Sequence, residues 1–224
     1  MNGREVILGK VRKSLGGGHN DAARLAAIEA RLARPPKGVI PERGQLDDKA
    51  RRRLFIAMAE KVSASVKQVK SYDDVPKAVA EYLRSRNLPA AIRIGNDRRL
   101  VKLPWTSQRA LEIKHGPSDG DDEAGVSHAF GAIAESGTLV LTSGGDNPTT
   151  INFLPEHHIV VVDAKDVAGD MESVLSRLRR KYGKGEMPRT LNFITGPSRS
   201  GDIEQKLLLG AHGPRALHVI LVGG

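Results

Sequence analysis

The 224-residue chain contains no cysteine. It therefore forms no disulfide, binds no iron–sulfur cluster through thiolates, builds no cysteine zinc site and has no cysteine nucleophile. Aromatic residues are scarce as well: four Phe, three Tyr and one Trp. That scarcity counts against nucleic-acid binding, which the net charge of +9 would otherwise invite. Lys and Arg outnumber Asp and Glu by 25 to 13 over residues 1–120, but are outnumbered 10 to 13 over residues 121–224. Acids are mixed through most of the basic half, and no aromatic-interleaved basic stripe accompanies it. A solvated or partner-facing basic surface is the better account, and nucleic acid is not expected as a partner. Long apolar runs are also missing. No stretch of ~18 apolar residues occurs, so no membrane span is expected. The opening MNGREVILGKVRKSLGGG lacks the apolar core of a signal peptide, and a cytoplasmic location is the expectation.

What is present has a clear order. Val6, Ile7, Val11 and Leu15 make a short amphipathic segment that breaks at Gly16, Gly17 and Gly18. Residues 21–34 predict a helix capped by Asn20 or Asp21, with Leu25, Ile28 and Leu32 at helical spacing. A longer helix is predicted over 46–69, carrying Arg51, Arg52 and Arg53 on a solvated face. Residues 1–70 thus read as a helical appendage to an α/β domain over 71–224. From residue 71 onward strands alternate with helices. Asp73 and Asp74 open a helix reaching Arg86, and strands are predicted at 88–94, 111–113, 126–134, 138–142, 158–162, 191–194 and 217–222. Further helices are predicted at 170–182 and 202–209. The run over 158–162 is nearly all apolar, as a buried parallel strand requires. The alternation argues for an α/β fold with a mainly parallel sheet flanked by helices.

Four constellations carry candidate chemistry. Glu135, at the bend before Ser136, Gly137 and Thr138, stands between two apolar runs and suits a nucleophile or general base; a bend-capping carboxylate is the plainer account. Ser143, Gly144 and Gly145, followed by Asp146, deliver hydroxyl and unobstructed backbone N–H groups into a loop, a weak anion-nest signal. Thr195, Gly196, Ser198 and Arg199 form a turn ahead of Asp202 and Glu204. A helix starting there would explain the two acids through its dipole, and an anionic ligand would explain the arginine. His212 and Arg215 flank Gly213 and Pro214 before the last apolar run. His157 and His158 lack a third partner at ligand spacing, so no metal is expected.

Four phrases in order carry a family resemblance: GAIAESGTLVL over 131–141, LPEHHIVVV over 154–162, TGPSRSGDIE over 195–204 and LGAHGPRALHV over 209–219. Across about residues 40–224 the chain resembles the LUD (lactate utilisation) domain family. The resemblance implies a fold similar to the NagB/RpiA/CoA-transferase group, and a place in bacterial L-lactate oxidation to pyruvate alongside partner proteins that carry iron–sulfur clusters. The absence of cysteine fits that division of labour, and no cofactor is expected on this chain itself. One departure stands out. Where relatives carry an Arg and then a Ser-Leu-Leu-Pro phrase, this chain reads NPTTINFLP over 147–155. CoA-transferases place a nucleophilic Glu in a Ser-Glu-Asn-Gly phrase, to which Glu135-Ser136-Gly137 is similar by analogy only.

Two functions from different classes remain open on this reading. One is a non-cluster accessory subunit that binds a small anionic ligand through Ser136, Thr138, Ser143, Gly144, Gly145, Thr195, Gly196, Ser198, Arg199, Asp202, His212 and Arg215. The other is a free-standing enzyme, CoA-transferase-like or sugar-phosphate-isomerase-like, acting through Glu135 on a phosphorylated or CoA-linked ligand. A homodimer is a further expectation.

Overall fold

The computed structural model describes residues 2–16, 22–34, 38–183, 185–203 and 206–223, with backbone alone for 201–203 and 206–207. It comprises two compact units, Met1–Val39 and Ile40–Gly224. The first holds helices α1 (Gly3–Ser14) and α2 (Ala22–Ala33), neither of which buries a residue. Asn20 and Asp21, the expected caps of α2, lie outside the described residues. The second unit begins with α3 (Asp48–Lys61), β1 (Ser65–Val69), α4 (Val75–Ser85) and β2 (Ala91–Ile94). It continues through α5 (Arg98–Val101), β3 (Glu112–His115), β4 (Ala124–His128), β5 (Gly131–Ile133) and β6 (Thr138–Thr142). Then come α6 (Thr149–Phe153), β7 (His157–Asp163), β8 (Val167–Ala168), α7 (Met171–Tyr182) and β9 (Leu191–Ile194). β10 (Arg199–Ile203), β11 (Lys206–Leu209) and β12 (Ala216–Val222) complete it.

The central sheet has six strands in the order β1-β12-β7-β4-β2-β3, every neighbouring pair parallel. A second sheet runs β8-β5-β6-β9, its β5–β6 and β6–β9 pairs antiparallel. β10 and β11 form a separate antiparallel hairpin. The fold is therefore α/β with a mainly parallel sheet. Alternation along the strands gives the central sheet two apolar faces. Ile159, Val161 and Ile220 pack with Val79 and Leu83 of α4, while Val160, Val162, Val219 and Leu221 pack with Phe55 and Ala59 of α3 and Leu139 and Leu141 of β6. α7, capped by Asp170, whose carboxylate accepts from the Ser173 N–H at 2.8 Å, covers the outer face of the second sheet through Val174 against Ile133 and Val140.

Three elements differ from the sequence expectation. The helix predicted over 46–69 stops at Lys61. Ser63 takes φ 68°, and Ser65–Val69 becomes an edge strand paired with residues 218–222. Val62, Val66 and Val69 fit helical spacing, but pairing with a distant strand satisfies the same backbone better. Residues 48–69 consequently belong to the α/β unit rather than to the appendage drawn at 1–70. The strand predicted over 126–134 divides at Ala129 and Phe130, where the chain leaves the central sheet for the second one. The helix predicted over 202–209 is the β10–β11 hairpin, with Arg199 opposite Leu209 and Ser200 opposite Leu208. The helix start invoked for Asp202 and Glu204 is thereby lost. Asp202 contributes only its backbone to the description, and Glu204 lies outside it.

Candidate functional site

A cavity of about 290 Å³ opens where β7 and β12 begin, lined by the end of α6, the 194–199 turn and the 212–214 turn. Gly-Pro pairs build both turns. Gly196 takes φ 75°, and a side chain there would overlap the Val62 carbonyl oxygen, so the 195–199 turn lies directly against the C-terminus of α3. Ser198 ties this turn to the other. Its N–H donates to the Pro214 carbonyl at 2.8 Å, its carbonyl accepts from the Gly210 N–H at 3.1 Å, and its Oγ accepts from the His212 N–H at 3.3 Å. The Arg199 guanidinium donates to the Val62 carbonyl at the end of α3, a favourable place for a cation because the helix dipole is negative there. A guanidinium carries five N–H donors, so further donors remain for the cavity that Arg199 lines. Phe153 and Phe193, each about two-fifths exposed at 40% and 41%, supply apolar wall.

The floor is polar and closed. Asn152 and His158 are both fully buried, at 0% exposure, and both line the cavity. Ser127, on the neighbouring strand β4, joins them: its Oγ donates to Asn152 Oδ1 at 2.8 Å and lies 3.0 Å from His158 Nε2. Burial pushes the His158 imidazole down to about 3, so it is neutral at physiological pH. Asn152 Nδ2 and His158 Nδ1 have no hydrogen-bond partner among the described residues. Buried polar atoms are nearly always partnered, which marks this floor as unusual.

The structure brings only some of the expected site residues together. Thr195, Gly196, Ser198, Arg199 and His212 are brought together as cavity lining. Thr138 and Ser136 connect to it through a chain of hydroxyls, Thr195 Oγ1 to Thr138 Oγ1 at 2.7 Å and on to Ser136 Oγ at 2.7 Å. Arg215 lies on an adjoining depression and pairs with Glu156 at 3.4 Å. Glu135 does not line the cavity. It is buried at the β5–β6 bend, its Oε2 without a hydrogen bond among the described residues and 3.6 Å from Arg43 Nε. Ser143, Gly144 and Gly145 sit at the opposite end of β6. There Ser143 Oγ accepts from the Thr190 N–H at 2.8 Å, and the Gly144 N–H donates to the Asn147 carbonyl at 3.3 Å. The suspected anion nest is thus largely occupied by its own loop. Among the described residues no group of three or more His, Asp and Glu could hold a metal ion.

The sequence does not single out Asn152 or Ser127, and it offers His158 only as a metal-ligand candidate without a third partner. His158 opens the apolar 158–162 run and shares a sheet face with Val160 and Val162, which made it look like plain core. The one available signal was a polar side chain at the start of an alternation that is otherwise apolar.

A six-stranded parallel sheet between helices, backed by a second sheet and holding a polar-floored cavity at its strand starts, defines a layered α/β protein. The chain belongs to the LUD domain family, whose model matches residues 52–222. It is 30% identical to lactate utilization protein C of Halalkalibacterium halodurans over 233 aligned positions, covering 97% of each chain. It is 41% identical to the protein of that name from Geobacillus thermodenitrificans over 107 residues, 46% of this chain and 45% of the other. Among solved structures, a DUF162 family protein from Deinococcus radiodurans superimposes with a TM-score of 0.57 at 20% identity, over 80% of this chain and 99% of that one. This last likeness concerns the fold.

Proposed function

We propose that this chain is a component of a bacterial L-lactate utilisation system, working with iron–sulfur partner proteins in the oxidation of L-lactate to pyruvate. The observation that carries the reading is the full-length similarity to a protein named for lactate utilization, 97% of each chain aligned. The lack of cysteine supports a non-cluster role, because clusters are held mainly by thiolates. Within that role, the cavity binds a small anionic ligand, with Arg199 and the 195–199 and 212–214 turns at its rim. The alternative, a free-standing enzyme working through Glu135, draws no support from this cavity, which Glu135 does not line.

The test is growth of a deletion strain on L-lactate as sole carbon source, complemented by wild type or by Gly213→Leu. A Cβ on Gly213 would meet Ser198 Cβ at 3.6 Å and Phe153 Cδ1 at 3.8 Å, in ordinary contact, so a leucine there projects between two lining residues and obstructs the cavity. Rescue by wild type but not by Gly213→Leu is expected. Normal growth of the deletion strain, with no second lactate dehydrogenase present, would overturn the pathway assignment. Equal rescue by both forms would overturn the cavity.

A further inference from the structure

We propose that the end of α4 and the loop entering β3 form a docking face for an acidic partner protein. The partner seats a leucine-sized side chain in an apolar pocket there, while its carboxylates meet the surrounding cations. This face shares no lining residue with the cavity at the 195–199 turn and does not depend on it.

The pocket comes from the way α4 ends. Asn87 takes φ 53°, a left-handed conformation that asparagine tolerates better than most residues. The turn brings the Leu88 N–H back to the Leu83 carbonyl at 3.0 Å, an ending that sets two apolar side chains together. Across from it the chain turns again before β3, where the Leu111 N–H donates to the Gln108 carbonyl at 2.9 Å. Leu83, Leu88, Ala90 and Leu111 line the resulting pocket of about 380 Å³, and its charged lining residues are two cations, Arg84 and Arg109. β3 ends the central sheet, with no strand beyond it among the described residues.

Charge decides the occupant. Residues 84–114 hold eight Lys and Arg against two Asp and Glu. Arg93 is taken by Asp122 at 2.7 Å and Arg99 by Asp97 at 2.6 Å. Arg84, Arg86, Arg98, Lys102, Arg109 and Lys114 stay exposed and without an ion pair among the described residues, beside the lone acid Glu112. Part of the basic excess of residues 1–120 thus reaches the surface around an apolar opening. A second copy of the chain would set these cations against their own kind. A small amphipathic anion could meet Arg84 and Arg109 but would leave Arg98, Lys102 and Lys114, which do not line the pocket, unanswered. Nucleic acid has no apolar side chain to fill the pocket, and single-strand binders present aromatic rings to the bases. Trp105, the one aromatic residue in the stretch, is instead half-buried, its Nε1–H donating to the Leu100 carbonyl at 2.8 Å. An acidic protein segment with an apolar anchor answers both features. Anchors seated in pockets carry most of the energy of an interface, and complementary charge around them selects the partner.

The experiment follows the fluorescence anisotropy of labelled peptides on the full chain. The peptides are EEDLLEDLEE, the same peptide with serine for leucine, and KKRLLKRLKK, with oligothymidylate as a competitor. The acidic leucine peptide is expected to bind about tenfold tighter than its serine form, through the apolar area that the pocket takes from water. The basic peptide is expected not to bind. Arg84→Glu/Arg109→Glu should weaken the acidic leucine peptide about tenfold or more, and Ala110→Glu, which sets a carboxylate in the pocket lining, should weaken it as well. Lys10→Glu/Arg12→Glu on α1 changes the net charge as much as the double pocket variant and should leave binding nearly unchanged. All five substituted positions are exposed, so the fold is retained.

No binding of the acidic leucine peptide at millimolar concentration would overturn the proposal, as would equal binding of the serine or the basic peptide. Binding that survives both pocket variants would overturn it too. So would a loss in the α1 variant as large as in the pocket variants, which would place the peptide on another basic surface. Displacement by oligothymidylate at a lower concentration than by unlabelled peptide would assign the face to nucleic acid instead.

Discussion

Gly196 holds φ 75° hard against the carbonyl of Val62, a combination that tolerates no side chain. Gly196→Ala is expected to combine the cost of a left-handed non-glycine residue with a backbone clash, lowering stability by roughly 2–4 kcal/mol. Urea titration of the variant would show it. An unchanged midpoint would mean that the 195–199 turn does not press on α3 as described. At this scale the site was half legible. Thr195, Gly196, Ser198, Arg199 and His212 stand out because each Gly-Pro turn sets an Arg or His beside an apolar strand run. Asn152 and His158 do not, since a buried polar residue is recognisable only by the partners it lacks. The phrase over 147–155 departs from the family pattern. It proves to hold α6, which sets Asn152 and Phe153 into the cavity.

α3 connects core and cavity. Its Phe55 and Ala59 are fully buried beneath the central sheet, and the carbonyl of its C-cap residue Val62 meets both Gly196 and Arg199. Phe55→Ala should cost about 3–5 kcal/mol, measured as a lowered denaturant midpoint; a loss below about 1 kcal/mol would place the helix outside the core. Elements were readable where burial leaves a one-dimensional trace. The runs of β6, β7 and β12 are apolar almost throughout, and α7 carries its own cap and helical spacing. Residues 65–69 and the described residues of 202–209 depart from the expected helices for a shared reason. Their apolar spacing suits a helix, and what makes them strands is a partner: residues 218–222 for one, the facing arm of a hairpin for the other. Local periodicity holds no record of that partner.

Across the whole molecule, acid should act through histidines before carboxylates. Burial lowers His128 and His218 to about 4 and His158 to about 3, from an ordinary value of 6.5. Between those values the unfolded chain binds more protons than the folded one, so stability rises with pH. The contribution is complete above about pH 6.5 and is lost as pH falls toward 4, on the order of 2–4 kcal/mol for each histidine. Asp97, Asp122 and Asp170, where burial is outweighed by hydrogen bonds from Arg99, Arg93 and Ser173, act in a lower window, below 3.8. Urea midpoints measured from pH 7 to pH 4 should fall steadily; a flat profile would show that these histidines are not buried neutral. The sheet order has a consequence of another kind, for the nascent chain. β12 lies between β1 and β7, and Ser65 meets His218 across 153 residues. At about 5–20 residues per second, a ribosome takes roughly 8–30 s to make that distance. Throughout that interval β1 is without its neighbour, and from its own synthesis onward β7 has an open flank. A transcript cut short before residue 216 would release a polypeptide with two bare strand edges, a form suited to chaperones and proteases rather than to partial activity.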